Sequence, residues 1–202
     1  SESVKVWALH LALILLLGMA LAVLPPYPAT TLARILVLAV FAMGYNLAFG
    51  YTGLLSLGHA LFLAAGVFAA GLSAQFWGLS AGPALLLGIL AGGGVAAAVG
   101  LLALRTAGVS FMIVTLMFAQ AGYLAVLYFG TVTGGDEGFN LPAASRTLLG
   151  FDLSTDTPRF VAALALFAIS LLLSLVLVRS SFGRSMVAMR ENEERSRMLG
   201  IS

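Results

Sequence analysis

The side chains able to do chemistry are few, and they fall in three places. His10 and His59 are the histidines of the chain, and both lie in apolar sequence, where an imidazole is the one side chain whose ordinary pKa sits near neutrality. His59 closes the stretch GYTGLLSLGHA, Gly50–Ala60, which holds Gly50, Gly53 and Gly58 together with Thr52 and Ser56. Asn46 stands just ahead of it, and Thr115 and Gln120 lie in a later apolar run. These groups offer hydrogen bonds to a passing polar solute, and His59 is either a helix-start residue bonded to backbone or a proton relay. The third place is Arg179–Ser202, RSSFGRSMVAMRENEERSRMLGIS, which carries Arg179, Arg184, Arg190, Arg195 and Arg197, half of the ten Lys and Arg of the chain.

What is missing narrows the chemistry further. Glu2, Asp136, Glu137, Asp152, Asp156, Glu191, Glu193 and Glu194 are all the acids there are, and each falls outside the apolar runs. Carriers coupled to protons or sodium place ionisable groups within the membrane. There is no cysteine, hence no disulfide framework and no thiolate. Lys5 is the sole lysine, which excludes a phosphate-binding loop of the glycine–lysine type. No HExxH or cysteine metal motif occurs, and no nucleophile and base stand as a pair. The residues describe a path without an energy source of its own and without a cofactor. A subunit of a machine powered from outside and a passive channel both remain open, the channel because the glycine break could supply carbonyls.

The elements that position these groups are membrane helices. The chain has 202 residues, of which 61% are hydrophobic and 9% charged, with mean hydropathy +1.07; soluble domains carry about 25% charged residues. The basic residues gather at helix ends, so net charge +2 argues for no nucleic-acid partner. Six spans are expected: Trp7–Leu24, Ile35–Phe49, Leu57–Phe76, Pro83–Leu104, Val109–Phe129 and Phe160–Val178. The fold class is therefore all-α, a polytopic bundle with a broken segment near Gly50–His59. Ala20-Leu21-Ala22 imitates a signal-peptidase site, but the first run is long for a signal sequence and reads as a retained helix. Pro25, Pro26 and Pro28 are expected to end that helix in a loop, and Arg34 to open the second span. Glycines within apolar sequence mark either unwound backbone lining a cavity or a tight turn. Ser56 is the expected N-cap of the third span. In the fourth, Gly88, Gly92, Ala96 and Gly100 make a ridge of small residues for close helix packing. The long segment Thr131–Arg159 is expected to hold a short helix at Leu141–Leu149.

Residues 179–202 read as a cytosolic segment. Phe182, Met186 and Met189 form an apolar stripe at helical spacing. Glu191 precedes Arg195, and Glu193 precedes Arg197, by four residues, an order that supports a helix. Gly183 allows a bend and Gly200 a stop. Pattern alone also fits a helix adsorbed on lipid headgroups. With the N-terminus inside, Lys5, Arg105, Arg179, Arg184, Arg190, Arg195 and Arg197 fall on the cytosolic side against Arg34, Arg146 and Arg159 outside, as the positive-inside rule requires.

Four stretches resemble one known family. GYTGLLSLGHALF at Gly50–Phe62, LLALRTAGVSFMIVTLMFA at Leu101–Ala119, TGGDEGF at Thr133–Phe139 and SSFGRSMVAMRENEERSRMLGI at Ser180–Ile201 are similar, in order and spacing, to bacterial branched-chain amino acid ABC transporter permeases. The likeness runs from about Arg34 to Ser202. It implies one permease domain over residues 1–202 in the bacterial inner membrane, both termini cytoplasmic. It also implies ATP-binding subunits, a second related permease subunit and an extracytoplasmic solute-binding protein as partners beside membrane lipid. ATP hydrolysis then belongs to the separate subunits. By the same likeness, Arg190, Glu191, Asn192, Glu193, Glu194, Leu199 and Gly200 form the ATPase-coupling stretch. Asn46, Thr52, Ser56, His59, Thr115 and Gln120 are the candidates along the path. Family members continue past the LGI with further membrane helices, so the chain is expected to be incomplete at its C-terminal end.

Overall fold

The computed structural model describes residues 2–191. Eight α-helices appear among them: α1 Glu2–Val23, α2 Pro26–Asn46, α3 His59–Trp77, α4 Ala81–Ala103, α5 Val109–Tyr128, the single turn α6 Gly130–Thr133, α7 Asp156–Arg179 and α8 Ser181–Glu191. A π-helical turn at Leu47–Tyr51 extends α2, a 3-10 turn spans Ala143–Arg146, and two short strands, β1 Thr147–Leu148 and β2 Phe151–Asp152, pair antiparallel. Six helices are long and apolar enough to cross a membrane: α1, α2 with its π turn, α3, α4, α5 and α7. Their outward side chains suit lipid; Leu15, Leu16 and Met19 on α1 are each more than three-fifths exposed.

The chain divides into two compact units. The first holds residues 2–53 and 154–191. Its core lies between α2 and α7, where Ala29, Ala33 and Leu36 close on Phe160, Ala163 and Phe167, with Leu17 and Leu21 of α1 packed alongside. Alanines on α2 admit the two phenyl rings of α7, and Phe160 is fully buried. Thr30 donates to Asp156 at 3.0 Å, and Asp156 in the first turn of α7 also suits the helix dipole. Pro26 and Pro28 do not form a loop. They occupy the first turn of α2, where a missing N–H costs nothing. Arg34 consequently lies well inside this helix instead of opening it.

The second unit, Leu54–Leu153, is built on the α3–α4 pair. A Cβ on Gly88 would meet the Gly66 carbonyl at 2.8 Å and one on Gly92 the Phe62 carbonyl at 3.0 Å, so these glycines let the two backbones touch. The small-residue ridge is thus used along half its length, because a Cβ on Gly100 would meet nothing within 4 Å. Val99 and Ala103 of α4 bury Phe111 of α5, beside Leu61 and Phe62. The helix expected at Leu141–Leu149 is instead the 3-10 turn and the β1–β2 hairpin. Leu149 and Gly150, both at positive φ (51° and 85°), make its two-residue turn.

Candidate functional site: the interrupted second span and the helix after α7

In the first unit, α2 does not end cleanly. From Leu47 its turns widen into the π form, then the backbone leaves the helix at Thr52 and Gly53. Single π turns inside helices accommodate an extra residue and recur at functional positions. Asn46 helps to explain the widening: its side-chain Oδ1 occupies the place that a Cβ on Gly50 would take, so any larger residue at 50 would displace the amide. Thr52 Oγ1 donates back to the Ala48 carbonyl. Gly53 has φ +75°, a conformation open to glycine. Asn46, Leu47 and Tyr51 border a cavity of about 180 Å³, completed by His10 of α1 and Ser174 of α7. His10 Nδ1 is 2.7 Å from the Val6 carbonyl, and that contact fixes the ring.

The helix α8 meets this turn. Ser180 Oγ accepts from the Gly183 N–H at 3.2 Å and donates to the Leu177 carbonyl at 2.6 Å, so it ends α7 and starts α8. Gly183 allows the corner, because a Cβ there would collide with the Val178 and Leu177 carbonyls. The bend expected at this glycine therefore precedes it, at Ser180. Met186 is buried, whereas Phe182 at 61% exposure is not, so one residue of the expected apolar stripe is held within the unit. At the far end the Arg190 guanidinium donates to the Gly50 carbonyl at 2.5 Å. Glu191 is exposed. Asn192, Glu193, Glu194, Leu199 and Gly200 lie outside the described residues.

In the second unit the remaining part of the break is fastened to α5. The Leu57 N–H donates to Thr115 Oγ1 at 3.1 Å, and that hydroxyl lies 3.0 and 2.9 Å from the Phe111 and Met112 carbonyls it can donate to. Gly58 sits so near that a Cβ would lie 2.6 Å from the Thr115 carbonyl. Ser56 is buried and does not cap α3, which begins two residues beyond the predicted start of Leu57, at His59. Its Oγ accepts from the Gly58 N–H at 3.2 Å, a local turn in place of a cap. The His59 ring stands edge-on to Phe62, centroids 5.3 Å apart. Gln120 is exposed on α5. Of the six path candidates, the structure brings Ser56 and Thr115 to one anchored loop, with His59 next in sequence. It places Asn46 and Thr52 at the π turn.

The TGGDEGF stretch folds as a glycine-shaped loop in this same unit. Thr133 is buried and donates to the Val126 carbonyl at 2.6 Å, Gly134, Gly135 and Gly138 take positive φ, and Asp136 and Glu137 are exposed. Phe139 fills the space beside Gly71 and contacts Phe68. Beneath it is a mainly apolar cavity of about 590 Å³ reached by Gly71, Leu85, Phe139 and Arg146. Among the described residues no cluster of His, Asp or Glu could hold a metal.

Six helices long and apolar enough to span a membrane, one of them ending in a π turn followed by irregular glycine-rich backbone, define a polytopic α-helical membrane protein. Residues 27–202 match the family described as branched-chain amino acid transport system / permease component, and the chain belongs to that family. Two curated relatives are the high-affinity branched-chain amino acid transport system permease proteins LivM of Salmonella typhimurium and Escherichia coli. The first is 28% and the second 27% identical over 186 residues, covering 81% of this chain and 44% of the relative in each case. The chain thus spans less than half the length of these relatives. No solved structure matches it. The matched family is one of permease components.

Proposed function

We propose that the chain is the membrane part of a permease subunit in an ATP-driven importer, moving branched-chain amino acids or similar small polar solutes across the bacterial inner membrane. The family match over residues 27–202 carries this reading. The energy source is supplied by ATP-binding subunits. A second related permease completes the path, and an extracytoplasmic binding protein delivers solute. The membrane domain has both termini in the cytosol, with residues 179–202 as its coupling segment. Glu191, Asn192, Glu193, Glu194, Leu199 and Gly200 face the ATPase, and Asp136 and Glu137 form the exposed acidic contact for the binding protein. Asn46, Thr52, Ser56, His59, Thr115 and Gln120 lie along or support the path. Irregular backbone beside a span can supply carbonyl and amide groups to a polar solute, as the broken helices of secondary transporters do. The family match supports the importer over the passive channel, which needs no cytosolic docking segment.

The test is co-purification and reconstitution of the full-length subunit. The expected result is that it brings down a nucleotide-binding subunit, and that radiolabelled leucine enters proteoliposomes only with ATP and binding protein. Ion current or leucine flux from the purified chain alone, without ATP, would overturn the reading in favour of the channel.

A further inference from the structure

The geometry points to Arg190 as the positioning residue that joins α8 to the π turn ending the second span, so that α8 and the turn Leu47–Gly53 move as one piece. The inference deepens the importer reading and rests on it. The carbonyls at the end of a helix have no intrahelical donor, and the end carries partial negative charge. Neither α2 nor its π turn has a basic residue in its last turn. The cation comes instead from a residue 140 positions along the chain, Arg190, whose guanidinium donates to the Gly50 carbonyl. A second contact is independent of charge. The Arg190 side chain runs across Gly53, where a Cβ would lie 3.0 Å from Arg190 Cγ and 3.6 Å from Arg190 Cβ. One side chain therefore grips the turn twice, with its head on Gly50 and its stem on Gly53.

The other end of α8 is equally constrained, by Ser180 and by the glycine corner at Gly183. A helix fixed at both ends within the first unit cannot swing free of it. Displacement of α8 by a partner is then passed to Gly50 and Gly53, where the second span has lost its regular ladder and deforms most easily. Arginine suits the task because its guanidinium stays charged and its donors are held in a rigid plane.

The experiment uses the complete transporter in proteoliposomes, with leucine taken up per ATP hydrolysed as the readout. Arg190→Ala is expected to lower that ratio about tenfold or more, the usual scale of coupling between sites, while the ATPase subunit still co-purifies. Arg190→Lys, which keeps a cationic donor, is expected to recover part of it. The chain has no cysteine, so a Gly53→Cys/Arg190→Cys pair, read against the Gly53→Cys single variant because φ +75° strains a side chain there, provides a second measurement. The 3.6 Å Cβ separation falls in the range a disulfide spans. If the two elements move as one piece, the oxidised pair restores the ratio and reduction abolishes it. Wild-type coupling in Arg190→Ala, or an oxidised pair no better coupled than its reduced form, overturns the inference. Loss of the ATPase subunit from the wild-type chain overturns the importer reading itself, and is seen before any substitution is made.

Discussion

Replacing Thr115 by valine tests the anchoring of the glycine break most directly. Valine has nearly the shape of threonine, so the pocket that leaves Thr115 only 1% exposed stays filled. What disappears is the acceptor for the Leu57 N–H at 3.1 Å, together with the hydroxyl's bond to its own helix. A buried donor left unpaired costs about 1–3 kcal/mol. Leu57 itself is 47% exposed, which favours the lower part of that range, about 1–2 kcal/mol, or a factor of about 5–30 in a local equilibrium. The assay is hydrogen exchange of the purified protein in detergent, read on the peptide containing Leu57. Thr115→Val should accelerate exchange there by that factor, with little change in α4. Thr115→Ser keeps the hydroxyl and removes a methyl. It should lower the melting temperature yet leave exchange at Leu57 close to wild type. If valine leaves Leu57 as protected as threonine does, or if serine accelerates it equally, the hydroxyl does not hold the break and the reasoning fails.

The small-residue ridge should respond unequally along its length. Gly92→Leu, facing the Phe62 carbonyl at 3.0 Å, should cost about 1–3 kcal/mol or more and lower the yield of monodisperse protein. Gly100→Ala, which meets nothing within 4 Å, should be neutral or slightly stabilising; equal loss from both would contradict the packing. Reversing Asp136 and Glu137 to lysine should raise the concentration of binding protein needed for half-maximal uptake, since both are exposed on a glycine-shaped loop; unchanged uptake at limiting binding protein would remove their docking role. Reversing Glu193 and Glu194 to arginine should leave an inserted subunit that no longer retains its ATPase, whereas mere adsorption to anionic lipid predicts equal or stronger membrane attachment and intact transport.

Composition and run length made the spans legible, because twenty apolar residues in a row have few other uses. The irregular backbone was legible from Gly50, Gly53 and Gly58, although not the π form of the turn before it, which no local residue pattern signals. Local signals failed where two structures use the same residues. Pro26 and Pro28 serve a loop or a first helical turn equally well, and burial of Ala29, Ala33 and Leu36 against α7 decided for the helix. Ser56 had the composition of a cap, but the close approach of Gly58 to Thr115 moved the helix start to His59. A short helix was expected at Leu141–Leu149, while Leu149 and Gly150 with their positive φ set a hairpin. The bond between Arg190 and Gly50 had no local signal at all, since nothing periodic relates residues 140 positions apart.

The hydroxyls within the apolar helices show why a polar residue in a span is weak support for a path. Thr31 and Thr52 each donate to the carbonyl four residues back, Ser73 and Ser180 to the one three back, and Thr115 to either. In hydrocarbon a donor must find a partner, and its own helix is always within reach. Thr52 and Thr115 are thereby accounted for as parts of the frame, and Ser56 by its bond from Gly58. Carboxamides differ, because an amide has two donors and an acceptor and a helix cannot satisfy them all. Asn46 lines the cavity with His10 and Ser174, and Gln120 is exposed on α5. The six path candidates thus divide by chemistry: hydroxyls bonded within the break and to the helices beside it, two carboxamides, and His59 at the start of α3, packed on Phe62.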